Sequence, residues 1–259
     1  MIGRSTVLFG LSAGRKTTIL LLLSVVFFFA WSAESAHAQK RFSQRFVAGR
    51  QVRLKLMNRT GTITVEGWDR PEVYLQADRE PPAAQITPLV IEGVIYVNLV
   101  KDNQGRAEVG NVNFVIRVPY YSEVDIETRI GNINVSSVSG GLVRAHISSE
   151  GSITLTNIGS SAVSAENVIG DIFYDGDIQP GGNYRFSSLK GFINIRIPFT
   201  AGLKLIATAP STRQILLGPF AGASMNYFGD GRRVMGKIGD GSATLSVTNH
   251  NGSITFIRR

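Results

Sequence analysis

The sequence contains Gly131-Asn-Ile-Asn-Val135, Gly151-Ser-Ile-Thr-Leu155, Gly170-Asp-Ile-Phe-Tyr174 and Gly191-Phe-Ile-Asn-Ile195, with glycines 20, 19 and 21 residues apart. The same Gly-x-Ile-x-apolar pattern returns at Gly61, Gly93 and Gly252, and a looser copy starts at Gly110. Alternation at every second residue makes each copy a short strand that buries Ile and the residue two beyond it. The glycine before it marks a turn that no β-carbon would fit. A period of about 20 residues is one coil of a β-solenoid.

A second strand precedes each turn with the same alternation: Val52/Leu54/Leu56, Val124/Ile126/Thr128, Val143/Ala145/Ile147, Tyr184/Phe186 and Ala243/Leu245/Val247. The unit is strand, corner, glycine, strand. An apolar residue seven or eight positions after the glycine (Trp68, Val138, Ile158, Ile178, Phe199) closes the far corner. Stacking at about 4.8 Å sets Ile over Ile. No coil buries its face alone, so the ends must be capped. Gln39 to Gly49 and the Asn249-His-Asn-Gly252 turn with its final strand are the cap candidates. Lys101 to Gly110 and Pro210 to Gly236 break the period and read as loops, the second spanning residues 211–236 as a possible binding insertion. The expected architecture is all-β: a single-domain parallel β-solenoid, β-helix-like, over residues 39–259.

Residues 1–38 read as a signal peptide. Arg4, Arg15 and Lys16 form a basic flank, Ile19 to Ala30 is apolar apart from Ser24, and Ala36-His-Ala38 is a small-x-small cleavage site. The apolar run is shorter than the ~20 residues that span a bilayer. Cleavage after Ala38 or retention as an anchor both deliver the body outside the cytoplasm, to a periplasmic, cell-surface or secreted location.

At 43% hydrophobic and 18% charged, the 259 residues can bury a sizeable core. Glycine, 28 residues against 9 prolines, indicates tight turns. Cysteine is absent and only His146 and His250 lie beyond residue 38, which removes cysteine nucleophiles, disulfides and Cys/His zinc sites. Both histidines read as solvated side chains, with no Ser or Asp in triad context. Gly10-Leu-Ser-Ala-Gly14 falls inside the export segment and is a chance match. Asp171 to Asp177 is turn chemistry without the twelve-residue calcium pattern. No catalytic residue, metal site or cofactor is expected.

The net charge is +8; removing residues 1–38 takes away three Lys/Arg and one Asp/Glu and leaves +6. Export directs that charge toward an anionic envelope glycan, lipid head groups or another envelope protein, not nucleic acid. Lys40, Arg41, Arg45, Arg50 and Arg53 read as a solvated terminus. Outward positions beside the Ile strand are polar (Thr62/Thr64, Asn132/Asn134, Ser152/Thr154, Ser253/Thr255) and interrupted by Phe173 and Phe192. On the other strand they are Arg144, His146, Ser164, Glu166, Arg185 and Lys204. Arg144, Arg185 and Lys204 are the candidate binding residues, a basic stripe across coils.

The run Asn113-Phe-Val-Ile-Arg-Val-Pro119 through Val124-Asp-Ile-Glu-Thr128 to Gly131-Asn-Ile-Asn-Val135, with the ending Gly239-Asp-Gly241 to Gly252-Ser-Ile-Thr-Phe256, resembles the bacterial putative-adhesin domains, also called toastrack domains, a family of unknown function. The resemblance spans roughly residues 50–257. It implies an envelope-exposed β-repeat domain in adhesion or envelope-stress scaffolding, and it carries over no catalytic residues. The stretch Ser211 to Gly236 departs from the plain repeat. The expected function is non-enzymatic adhesion, interaction or scaffolding at the bacterial cell envelope; the alternative is an exported carbohydrate-active enzyme on a β-helix.

Overall fold

The structure, a computed structural model, describes residues 40–49, 51–222 and 224–259. The signal peptide expected over residues 1–38 lies outside them. From the N-terminal side, β1 (Lys40–Val47) precedes β2 (Arg53–Met57) and β3 (Ile63–Trp68), the first strand-corner-strand unit. The chain then leaves the repeat through β4 (Glu72–Arg79), β5 (Leu89–Ile91), β6 (Val94–Asn98), one helical turn α1 (Leu99–Asp102) and β7 (Val112–Pro119). Four regular units follow: β8 (Glu123–Ile130) with β9 (Ile133–Ser136), β10 (Leu142–Glu150) with β11 (Ile153–Ile158), β12 (Ala162–Ile169) with β13 (Ile172–Gly176), and β14 (Asn183–Lys190) with β15 (Ile193–Ile197). The last part holds β16 (Leu203–Thr208), β17 (Ile215–Leu216), β18 (Met225–Phe228), β19 (Arg233–Ile238) and a final unit, β20 (Ala243–Asn251) with β21 (Ile254–Arg258).

The fold is all-β. The two strands of a unit enter different sheets, and each pairs in parallel with its equivalent in the next unit. One sheet has ten strands in the order β1-β4-β7-β3-β9-β11-β13-β15-β21-β17; the other has eleven, β18-β19-β16-β20-β14-β12-β10-β8-β2-β6-β5.

The alternation decides what is buried. In the ten-stranded sheet, Ile63, Ile133, Ile153, Ile172, Ile193 and Ile254 stand opposite one another in one row. All are fully buried. The facing row of the other sheet runs Leu54, Val124, Val143, Val163, Tyr184, Leu245, Leu205. Where the rows carry aromatics, the Tyr174 and Phe186 ring centroids lie 5.0 Å apart. Both buried tyrosine hydroxyls have partners: Tyr174 donates to the Asp177 carbonyl, and Tyr184 donates to the Ser160 carbonyl and accepts from the Gln179 N–H. Burial raises the pKa of both phenols.

The corner is polar inside. Asn167 Nδ2 donates to the Gly151 carbonyl at 3.2 Å, and Asn249 Nδ2 to the Gly191 carbonyl at 2.8 Å. Each side chain satisfies a backbone group of the neighbouring turn that no strand partner reaches. The turn glycines stack: Gly151 has φ +148°, and a β-carbon there would collide with the Gly131 carbonyl.

Several expectations need correction. The Gly93 copy lies in β6 and joins the other sheet, beside β2, so Ile95 stands opposite Leu54 and not in the isoleucine row. The Gly110 copy is two residues out of register, because Phe114 takes the rung beside Ile63. Of the far-corner residues, Val138 and Ile158 are buried, whereas Phe199 is exposed. The N-terminal cap holds, as β1 forms an edge through its antiparallel pairing with β4. The C-terminal one does not: β20 and β21 sit inside their sheets. The stretch 211–236 is structured, with β17, a 3₁₀ turn at Gly218–Phe220, β18 and the start of β19. Its hairpin extends the eleven-stranded sheet antiparallel to β16.

Candidate functional site

The outward face of the eleven-stranded sheet carries the basic residues. Parallel register places Lys55, Asp125, Arg144, Ser164, Arg185 and Ser246 side by side on successive strands. Arg144 and Arg185 therefore share one row with Ser164 between them, about 10 Å apart at the usual strand spacing. Lys204 faces the same way from β16, but it stands opposite Thr244 and Lys237, two residues off that row.

The three residues differ electrostatically. Arg144 Nε donates to Asp125 Oδ1 at 2.6 Å, and its Nη2 lies 4.0 Å from Glu127 Oε2. The hydrogen bond with Asp125 pushes the Arg144 pKa above its ordinary value, with partial burial acting the other way. Glu166 lies 3.9 Å from His146 Nδ1 and accepts from Ser164 Oγ. Arg185 and Lys204 form no ion pair among the described residues, and both are exposed. Beside Arg185 lies a shallow groove of about 220 Å³ between Leu142, Ser164 and Asn183. That is below the ~300–1,000 Å³ of enclosing small-molecule sites, and it suits an extended partner laid across the strands.

On the ten-stranded sheet, the acidic stretch from Asp175 to Asp177 has its charges paired. Asp175, nearly buried, accepts from Arg196 Nη2 at 2.5 Å and lies 3.4 Å from Arg259 Nε; Asp177 meets Arg259 Nη1 at 2.8 Å. The Arg196 guanidinium also sits 5.6 Å from the Phe173 ring centroid. Arginines occupy the acidic turn, and no group of three or more potential metal ligands exists among the described residues.

No protein-family model matches the chain, and no curated protein does. Among solved structures, a putative cell adhesion protein from Clostridium sporogenes superposes over 85% of this chain and 100% of its own, at 10% identity and a TM-score of 0.50. The chain shares its fold with that protein. A putative adhesin from Bacteroides fragilis also aligns, at 12% identity, over 85% of this chain and 99% of its own, with a TM-score of 0.41.

On this fold, the sequence reading places Arg144, Arg185 and Lys204 on one face and misses two neighbours. Asp125, which neutralises Arg144, was within reach: it lies 19 residues earlier, one repeat before it. Lys237 was not, because it arrives through an antiparallel hairpin in the stretch read as a loop. A separate cleft of about 450 Å³ lined by Trp68, Arg70, Pro119, Tyr120 and Tyr121 also escaped the reading. Its tryptophan is already engaged: Nε1 donates to the Glu72 carbonyl, and the Arg70 and Arg117 guanidiniums lie 5.1 and 5.8 Å from the ring.

Proposed function

We propose that the chain is an exported, non-enzymatic β-solenoid module that holds an anionic glycan at the cell envelope. The units are its coils, and residues 39–259 form its single domain once residues 1–38 are removed. The observation that carries this reading is the pair of unneutralised cations, Arg185 and Lys204, on a broad face whose nearby groove is shallow. Lys237, opposite Lys204, adds a third. Arg144 contributes less net charge because of Asp125 and holds the row's geometry. Adjacent cations in register raise the local potential and the rate of encounter with a polyanion, although each contact alone is weak in salt. The adhesion name of the Clostridium protein agrees with this reading. The experiment is retention of the mature protein on immobilised anionic and neutral polysaccharides, with product analysis of the eluate: reversible, salt-sensitive retention without cleavage products is expected. Shortened glycan products would replace the proposal with the carbohydrate-active enzyme.

A further inference from the structure

Away from that face, a cleft of about 780 Å³ opens where the chain between β4 and β7 crosses the ends of β2 and β8. Its volume lies within the ~300–1,000 Å³ of small-molecule sites. One part of the lining is apolar: Met57, Pro82, Val100 and Val109. Val100 is 45% exposed, a large aliphatic side chain left in water at this cleft.

The other part is cationic. Register runs from Met57 opposite Glu127 to Thr60 opposite Ile130, and the Ile130 N–H donates to the Arg59 carbonyl at 3.2 Å. Arg59 and Arg129 thus occupy one rung of adjacent parallel strands, and both line the cleft. Neither forms an ion pair among the described residues, whereas Arg41, Arg45, Arg53, Arg117 and Arg196 each have a carboxylate. Of the two carboxylates in the lining, Glu127 already faces Arg144 and Glu108 stands on the exposed loop; Glu150, opposite Ile130 on the next strand, forms no ion pair among the described residues. Like charges set side by side in a sheet oppose folding. An anion held by both guanidiniums relieves that repulsion, and a guanidinium's planar fork suits carboxylate and phosphate oxygens alike.

We propose that this cleft binds a small amphipathic anion, a carboxylate or phosphate monoester on a short apolar chain. Its head is held by Arg59 and Arg129 and its chain lies on Met57, Val100 and Val109. The site is independent of Arg185 and Lys204.

Isothermal titration of the mature protein tests it with four probes: octyl phosphate, octanoate, inorganic phosphate and octyl glucoside below its micelle concentration. Saturable binding of octyl phosphate, octanoate or both is expected, at least about tenfold tighter than inorganic phosphate or octyl glucoside. The anionic probe that binds identifies the head group. Arg59→Gln with Arg129→Gln should weaken that binding about tenfold or more, while the ligand-free variant melts no lower than the wild type because a like-charge pair is gone. Arg59→Lys with Arg129→Lys keeps the charge and should lie between. Substituting Arg185 and Lys204 should leave the affinity unchanged. The proposal is overturned if neither anion saturates, if octyl glucoside binds equally well, or if the glutamine and lysine pairs both bind like the wild type.

Discussion

Across the parallel pair β13–β15, Arg196 Nη2 donates to Asp175 Oδ2 at 2.5 Å, and the carboxylate it serves is 8% exposed while the guanidinium is 43% exposed. The pair is asymmetric: removing Arg196 leaves the nearly buried carboxylate only its longer contact to Arg259, whereas replacing both partners removes the buried charge.

Arg196→Gln is therefore expected to lower the melting temperature more than Arg196→Gln combined with Asp175→Asn. A double-mutant cycle followed by thermal denaturation measures the difference. With Asp175→Asn measured alone as well, single losses that simply add up to the loss of the double variant would mean that the pair is not coupled.

The isoleucine row predicts a contrast within one strand. Ile153 is fully buried between Ile133 and Ile172, while Thr154 faces outward between Asn134 and Phe173. Ile153→Ala should cost about 2 to 5 kcal/mol, and Thr154→Ala roughly 0.5 kcal/mol or less. Urea midpoints that shift equally would refute the alternation.

Two left-handed glycines separate strain from collision. Gly105, φ +80°, has nothing near the position of a β-carbon, whereas Gly151 is stacked on Gly131. Gly105→Ala should cost about 1 to 2 kcal/mol, the strain of its backbone alone. Gly151→Ala should cost clearly more, through displacement of two adjoining turns. Equal costs in chemical denaturation would show that the turns move apart freely.

Retention on an anionic polysaccharide should fall for the variant Arg144→Ser, Arg185→Ser, Lys204→Ser at low salt. It should be lost for the wild type at about 0.5 M salt, where screening acts within a few ångströms. A folded triple variant that binds like the wild type would move attention to residues 211–236.

Intact-mass analysis of the exported protein should find Gln39, free or cyclised, at the N-terminus. A mature species retaining residues 1–38 would indicate an anchor instead.

The ladder through Ile133, Ile153, Ile172 and Ile193 was legible because alternation and period are both local in the sequence. Gly93 carries the same five-residue pattern and went elsewhere, since the sheet that β6 joins depends on its partner, β2, and not on its own side chains. The spatial order of the units was illegible for a related reason: every unit offers its neighbours the same two faces, so the pattern does not rank them. At the basic face, Arg144 and Arg185 were legible from their repeat positions. Lys237 depends on an antiparallel hairpin that has no period to follow.

Because β20 and β21 lie between β14/β15 and β16/β17, strands that follow β16 to β19 in the sequence are seated ahead of β16 and β17 in their sheets. The strand β16 and its hairpin have no parallel neighbour until those strands arrive. Assembly beyond β15 thus runs against sequence order: β16 and its hairpin stay unseated until β20, which follows them in the chain, has docked on β14. Loss of the final unit removes the internal seat on which the preceding strands rest, so a truncated chain announces itself by exposing two apolar rows at once.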